Sequence, residues 1–314
     1  MKILTDLDLN SAGLHSQLNM LIAKNQTPVL AFVCLLAFLC WSTLVWLVVD
    51  MCNPIAMMTM PMSPSWLSIN FVAVFLMWTI MMAAMMLPSA IPMILLHHKM
   101  SGGGFVGVNT AVFLGAYLVI WALFSIVAVA IQFFAHNLNV LDPMSLTIST
   151  LFSGIILILA GGFQFTKLKD TCLRACQSPA GFFMSRWKGG ARGSFEMGLS
   201  HGLFCLGCCW ALMLLLFVGG VMNLGWVLLL TVGVLAEKTI PAGKALSNVI
   251  GVLLIVFGCY TFYGFFTKDT EGSMPSMVIN CMKMDGLKVD GMNSDKKPLL
   301  FKIVFKINIL MSSL

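Results

Sequence analysis

The chain alternates between long apolar runs and short polar segments. A helix needs about 20 mainly apolar residues to cross a hydrocarbon layer about 30 Å thick. The runs near this length are seven: Pro28–Val49, Leu67–Leu96, Thr110–Ala135, Leu146–Thr166, Glu196–Val218, Asn223–Ala236 and Ala245–Phe266. None alternates like a strand, and a lipid-exposed backbone must satisfy its own hydrogen bonds, so the runs predict helices. The predicted fold class is all-α, a polytopic helical membrane protein.

The sixth run is short and joins the fifth through Gly219 and Gly220. The two runs predict either two spans or one re-entrant hairpin, so we expect six to seven transmembrane helices. One transmembrane domain over residues 28–266 follows, with a loop at 167–195. A polar N-terminal segment, 1–27, precedes it, and a flexible tail containing Met and Lys, 267–314, follows it.

Basic residues are distributed unevenly between the runs. With the N-terminus inside, the inner segments hold 11 Lys and Arg and the outer loops hold none. Such a bias orients helical membrane proteins, so we expect a cytoplasmic N-terminus and a cytoplasmic loop 167–195. The tail carries the other seven basic residues. It lies outside if all seven runs cross, and inside if the fifth and sixth form a hairpin.

Composition agrees with this topology and excludes a soluble enzyme. The chain is 59% hydrophobic and 10% charged, whereas soluble proteins are about 25% charged. Its net charge of +6 is spread over loops, so we expect the lipid bilayer as a partner and no nucleic acid. The 25 Met and 10 Cys make soft sulfur ligands abundant.

The fifth run, in the stretch EMGLSHGLFCLGCCW, holds the densest set of candidate ligands. Spacings of three and four place Met197, His201, Cys205 and Cys208 on one helical face, and Cys209 follows four residues after Cys205. Thiolate and imidazole ligands favour copper(I) or zinc over hard cations, and polar groups in a membrane are costly unless bound. We therefore predict a soft-metal site. The alternative is that the cysteines pack as small apolar residues and the histidine bonds a neighbouring helix.

The second run, WTIMMAAMMLPSAIPMILLHH, combines methionines with two prolines. Met81, Met82, Met85 and Met86 occupy two adjacent faces, and Pro88 and Pro92 are expected to break or kink the helix just after them. In the predicted topology they share the depth of the Cys/His set, which makes them further candidate ligands. The alternative is a methionine stripe that packs or faces lipid.

Further sulfur residues lie outside the apolar runs. The first loop, MCNPIAMMTMPMSPS, suits the capture of copper(I) in an oxidising compartment because thioethers need no deprotonation; a hydrophobic plug is the alternative. The tail contains a similar stretch rich in methionine, MPSMVINCMKM. In the expected cytoplasmic loop, Cys172 and Cys176 are four residues apart. They could bind a metal together or act as a thiol-exchange pair. The alternative is that the stretch is an interfacial amphipathic helix whose cysteines have no role. Glu237 and Lys238 end the sixth run, where we expect a salt-bridged helix end rather than a proton relay.

Three blocks of the chain resemble a bacterial family described as predicted metal-binding integral membrane proteins. The blocks are WxxMMAAMMLPSAxP, GGFQFTKLKDTCLRACQSP, and SHGLFCLGCCWALM followed by GWVLLLTVGVLAEKTIP, between residues 78 and 258. The resemblance implies six or seven membrane helices and a metal role. The matching positions are Met81, Met82, Met85, Met86, Pro88, Cys172, Cys176, His201, Cys205, Cys208, Cys209, Glu237 and Lys238.

These patterns predict a multi-pass protein of the bacterial inner (plasma) membrane that binds copper(I), or zinc, and moves it or hands it over across that membrane. Handover implies a protein partner, either a membrane protein or a metallochaperone. We find no nucleophile with its base, so an enzyme is not expected.

Two alternatives to the copper-binding function stay open. One is a redox protein, with haem between His201 and His97 or His98, or with thiols at Cys208 and Cys209; the other is a structural or assembly subunit of a membrane complex.

Overall fold

The structure is a computed structural model that describes residues 26–50, 53–60, 66–102, 107–138, 140–141 and 147–267. In these ranges it contains eleven helices: α1 Thr27–Val49, α2 Pro54–Thr59, α3 Ser68–Met100, α4 Val108–Asn137, α5 Thr150–Phe163, α6 Lys167–Gln177, α7 Pro179–Arg186, α8 Gly190–Leu214, α9 Leu216–Gly219, α10 Leu224–Thr239 and α11 Gly243–Thr267. The same ranges hold no strand, only an isolated bridge between Leu141 and Ile148. The all-α prediction is confirmed.

Five helical stretches in the described ranges are long and apolar enough to cross a membrane: α1, α3, α4, Gly190–Gly219 and most of α11. A sixth results if α5 and α6, which are bent by 66°, form one broken span. The chain is therefore a polytopic helical protein. The predicted sixth run corresponds to α10. Its 16 residues extend about 24 Å at 1.5 Å per residue, which is less than the thickness of the hydrocarbon layer. A re-entrant hairpin there stays a prediction.

The region around the predicted fourth run differs from expectation. The helix α5 covers only Thr150–Phe163, and the chain then turns into α6, which begins in the expected loop. The hydroxyl of Thr166 accepts from the backbone N–H of Lys169 at 3.3 Å and so caps α6. Together α6 and α7 fill most of the loop 167–195, and α8 begins at Gly190 rather than at residue 196.

The helices divide into a centre and a rim. Within their most apolar windows, α3, α4 and α8 are 56% buried, whereas α1 and α11 are 17% buried. The helix α1 packs on α3, and α11 packs on α5. The rim helices thus expose most of their apolar surface, as helices that face lipid do. Two of the three central helices, α3 and α8, carry candidate ligands.

Two glycines let α8 approach α4 closely. A Cβ on Gly198 would collide with the carbonyl oxygen of Phe113 and lie 2.8 Å from the Cβ of Ala116. A Cβ on Gly202 would lie 2.8 Å from Cγ1 of Ile120. Small residues four apart are a common means of close backbone approach between membrane helices. The ligand-bearing helix α8 is therefore held tightly against α4.

The helix α3 does not break at its prolines; it continues through Pro88 and Pro92 for 33 residues. Pro88 has no N–H to donate to the carbonyl of Ala84, four residues earlier. The indole Nε1 of Trp41 on α1 donates to that carbonyl at 3.1 Å. The docking of α1 therefore satisfies a backbone acceptor that the proline leaves free.

Several sequence predictions fall on residues that the structure does not describe. The N-terminal segment up to residue 25, parts of the first loop, and the tail from residue 268 lie outside the described residues. The predictions for the tail and its methionines therefore remain predictions. Within the first loop, Met57 and Met58 of α2 are exposed and Met60 is buried.

Candidate soft-metal site

The centre of the candidate site is the buried face of α8, against which α6 and α10 pack. Cys205, Cys208 and Cys209 are at most 2% exposed. The thiols of Cys208 and Cys209 both donate to the carbonyl oxygen of Cys205, at 3.1 and 2.9 Å. Spacings of three and four along α8 thus gather three thiols within one turn.

A fourth thiol comes from α6. The buried thiol of Cys176 lies close to the thiols of Cys205 and Cys208. We call Cys176, Cys205, Cys208 and Cys209 the thiol cluster. Cys172, one turn earlier, lies with its Sγ 2.8 Å from the position that a Cβ on Gly207 would take. The helix α6 therefore gives one thiol to the cluster and packs the other into the crossing with α8.

A buried ammonium group faces the thiol cluster. Lys238 of α10 is 7% exposed, and its Nζ donates to Cys205 Sγ at 2.9 Å and to Ser89 Oγ at 3.2 Å. The Sδ of Met86 lies 4.0 Å from the same nitrogen. Metals bind the thiolate form of cysteine, and a neighbouring cation favours that form in general. The ammonium therefore provides an electrostatic environment suited to ligation.

Tyr117 of α4 connects the thiol cluster to the methionine-containing helix. Its hydroxyl donates to the carbonyl oxygen of Met86 at 3.2 Å and lies 3.2 Å from Cys205 Sγ. Met86 and Cys205 therefore share two neighbours, the tyrosine hydroxyl and the Lys238 ammonium. The sequence did not indicate Tyr117, because it is a single polar residue in an apolar run, and it pointed to Lys238 only as part of a salt-bridged helix end and as a position shared with the resembled family.

His201 is buried beside the thiol cluster. It is 3% exposed, and neither ring nitrogen has a partner among the described residues. Its ring stacks on Tyr117 at a centroid distance of 5.4 Å and on Phe113 at 6.1 Å. A buried polar group of this kind is rare in proteins and indicates a ligand or another missing partner.

The other two histidines of the haem hypothesis have partners of their own. Nε2 of His97 is 3.1 Å from Ser194 Oγ, and Nδ1 of His98 is 3.2 Å from Thr110 Oγ1. Phe113 stacks on both His97 and His201. Aromatic rings therefore fill the space that a haem plane between these imidazoles would need.

The four candidate methionines of α3 are all buried, but their surroundings differ. Each is at most 1% exposed. Met86 lies beside the Lys238 ammonium, as described above. Met81 instead lines an apolar cavity together with Met77 and Leu44. Met86 is thus placed next to the thiol cluster, whereas Met81 has the surroundings of a packing residue.

A second buried cation, Lys169 of α6, pairs with Glu237, the residue that precedes Lys238 on α10. Lys169 of α6 donates from Nζ to both carboxylate oxygens of Glu237, at 2.9 and 2.8 Å, and to the amide oxygen of Gln164. The side chains of Lys169 and Glu237 are 1% and 2% exposed. The expected salt bridge at this helix end therefore forms with Lys169, which leaves Lys238 to the thiol cluster.

No three His, Cys, Asp or Glu side chains in the described part of the chain are arranged to hold a metal ion together. The thiols contact one another, the Cys205 carbonyl and Lys238 instead. A metal role for the candidate ligands thus stays a prediction. The composition of the site, four thiols beside an unpartnered imidazole, is the donor set that soft ions prefer.

The fold and the site define a polytopic helical protein with a thiol cluster and a cation in its buried centre. Residues 75–261 match the model of the PpoB2 family, which is described as copper chaperone. The match spans more than half of the chain and includes the whole thiol cluster, and the chain belongs to this copper chaperone family. The prediction of a metal-related bacterial family is confirmed. No curated protein and no solved structure matches the chain.

Proposed function

We propose that the protein binds copper(I) at the thiol cluster and moves it or hands it over across the bacterial inner membrane. The observation that carries the proposal is that four buried thiols, from α6 and α8, lie close to one another and to His201, whose imidazole has no hydrogen-bond partner among the described residues. Membership of the copper chaperone family supports copper as the ion. Zinc is the other ion that this donor set accommodates.

The proposed path runs from the first loop to the thiol cluster. Met57 and Met58 in that loop are exposed, as residues that capture an ion would be. The distribution of Lys and Arg supports a cytoplasmic N-terminus with this loop on the outer side. A metallochaperone or a second membrane protein completes the handover as the donor or the acceptor of the ion.

The chemistry of transfer is ligand exchange between sulfur atoms. Copper(I) bound by two thiolates passes to two thiols of the acceptor, and their two protons return to the donor cysteines. Charge and the number of copper–sulfur bonds are conserved in this exchange. The buried position of the cluster limits the access of water, which protects the copper(I) state.

The first experiment is a measurement of copper bound to the full-length protein in detergent. We expect about one copper(I) per chain in the wild type, because the chain offers one cluster of thiols. The variant Cys205→Ser/Cys208→Ser/Cys209→Ser should bind almost none. Cys34→Ser/Cys259→Ser removes two exposed cysteines and is the matched control, which should bind as the wild type does.

The proposal would be wrong if the copper and zinc contents of the wild type and of the triple variant were equal and near zero. A thiol redox protein is then the better function, because Cys176 contacts Cys208 across two helices and forms a more plausible disulfide pair than adjacent Cys208 and Cys209. A reversible disulfide between Cys176 and Cys208 in copper-free protein would support it. A structural subunit predicts a co-purifying partner and normal assembly of the triple variant.

A further inference from the structure

A polar cavity lies at the junction between α5 and α6, away from the thiol cluster. The end of α5, the first turns of α6 and the start of α11 form its wall. Its volume is about 70 Å³, several times the roughly 15 Å³ that a single water needs. The distribution of Lys and Arg predicts that this side of the molecule faces the cytoplasm. The cavity can therefore hold a small polar group at the inner side of the membrane.

The cations at this cavity outnumber the carboxylates. Lys167, Lys169 and Lys244 line it, together with one carboxylate, that of Asp170. Asp170 is paired with Lys244, and Lys169 is paired with Glu237. Lys167 takes part in none of the ion pairs among the described residues. These three cations and two carboxylates leave a net charge of +1, which favours an anion.

The wall also contains a buried hydrogen-bond donor that lacks an acceptor. Gln164 is 4% exposed, and its amide oxygen accepts from Lys169 and, at 3.0 Å, from the hydroxyl of Ser247. Because the oxygen is occupied in this way, the amide nitrogen points elsewhere, and it has no partner among the described residues. The helix α6 begins next to it, and the N–H groups of a first helical turn carry a partial positive charge. A buried donor without an acceptor is rare and indicates a missing partner, here one that accepts hydrogen bonds.

The cavity lies where the apolar surface of the rim ends. Phe165 in its wall is exposed, and so are Val252 and Leu253 farther along α11 and Leu159 of α5. Exposed apolar helix surfaces of this kind contact acyl chains in a bilayer, and the polar headgroups lie at their ends. Basic pockets between membrane helices on the cytoplasmic side are a common form of headgroup site. A phosphate group at this level is therefore accessible to the cavity.

We propose that this cavity binds a phosphate group, carried by an anionic phospholipid or present as free phosphate. The negative charge of the phosphate balances the surplus of lysine charge, and its oxygens accept hydrogen bonds from the Gln164 amide and from Lys167. Lys244 contributes its charge from the start of α11. The site does not depend on copper, because no residue of the thiol cluster lines the cavity.

The test measures the binding of three probes to the full-length protein in detergent. Native mass spectrometry counts bound short-chain phosphatidylglycerol and phosphatidylcholine of the same chain length, and equilibrium dialysis measures bound inorganic phosphate. We expect one phosphate group per chain, from phosphatidylglycerol or from inorganic phosphate, and weaker binding of the zwitterionic phosphatidylcholine. Binding of phosphatidylglycerol alone would identify a headgroup site, and binding of inorganic phosphate alone would identify a site for the free ion; either result supports the proposal.

Substitution of the cavity lysines tests where the phosphate binds. Lys167→Gln/Lys244→Gln should weaken binding on the order of 30-fold, since each basic side chain near a phosphate group contributes about fivefold. Lys167→Gln alone breaks no ion pair, so it is the second variant in case the double variant does not fold, and it should weaken binding about fivefold. Lys188→Gln/Arg192→Gln removes two exposed cations outside the cavity and is the matched control, which should bind as the wild type does.

Three results would overturn the inference. One is a wild type that binds none of the three probes. Another is a cavity variant that binds its probe as tightly as the wild type. The third is an equal loss in the cavity variant and in the control variant, because general attraction to a basic surface would then explain the binding.

Discussion

Lys169 and Lys238 are both buried in the same part of the molecule, yet the first faces a carboxylate and the second faces a thiol. Lys169 forms an ion pair with Glu237, with the amide of Gln164 as an additional acceptor. Lys238 follows Glu237 directly in the chain and donates to Cys205 and Ser89. One lysine has a permanent counter-charge, and the other lies beside groups whose charge depends on what they bind.

The difference separates a pair with fixed charges from a contact whose charge balance can change. A carboxylate and an ammonium in contact stay charged and connect α6 to α10 at all times. A thiol becomes a strong counter-charge only as a thiolate, which is the form that binds a soft metal. Substitutions around the two lysines are therefore expected to differ in effect. Those that break the Lys169–Glu237 pair should lower the free energy of unfolding most.

The largest effect is expected when the Lys169 pair is broken. Lys169→Met leaves the buried carboxylate of Glu237 without its cation, so we expect a loss of about 3–5 kcal/mol in the free energy of unfolding. Unfolding in mixed detergent micelles measures it. The double variant Lys169→Met/Glu237→Leu removes both charges and should recover most of the loss. A single variant as stable as the wild type would mean that the pair is not structural.

A smaller effect is expected next to Lys238. Tyr117→Phe removes the hydroxyl that contacts Cys205 and the carbonyl of Met86, and a hydrogen bond of this kind contributes about 1 kcal/mol. Unfolding of the metal-free protein measures this change. Tyr260 is 60% exposed, so Tyr260→Phe is the matched control and should have no effect. Equal stability of the two variants would show that the hydroxyl does not connect α4 to the site.

The smallest effect is expected at Asp170, whose two cationic partners are exposed, in contrast to both buried lysines. Asp170 pairs with Arg174 and Lys244, whose side chains are 69% and 65% exposed. We expect Asp170→Asn to cost less than about 1 kcal/mol, because exposed pairs gain little. The cost should shrink further at high salt, where exposed charges are screened. A loss as large as that of Lys169→Met would contradict this assignment.

The long apolar helices were predictable because the length of a membrane span is a strong constraint on sequence. The helix α6 was not recognised as part of the buried structure, since KLKDTCLRACQ has a charged composition. Its buried residues are nevertheless spaced three, four and seven apart, at Lys169, Cys172, Leu173 and Cys176. Counting cysteine as apolar would have revealed this stripe, although a buried lysine within it can be explained only by Glu237 on another helix.

The composition of the site was predictable where its residues lie on one helix. Cys205, Cys208 and Cys209 are neighbours on one helix, so their spacing alone gathers them. Adjacent residues on a helix point about 100° apart, and for this reason Glu237 and Lys238 reach different partners. Which partners they reach depends on helix packing between distant segments, and a single sequence does not specify that packing.

The hydrogen bond from Trp41 to Ala84 also has a consequence for biogenesis. The helix α1 precedes α3 in the chain, so its indole is synthesised before the carbonyl that Pro88 leaves free. The acceptor then meets a protein donor instead of remaining unpaired in hydrocarbon, where no water is available. The docking of the rim helix α1 therefore supplies the hydrogen-bond donor that the proline-containing helix α3, which carries the methionines, lacks.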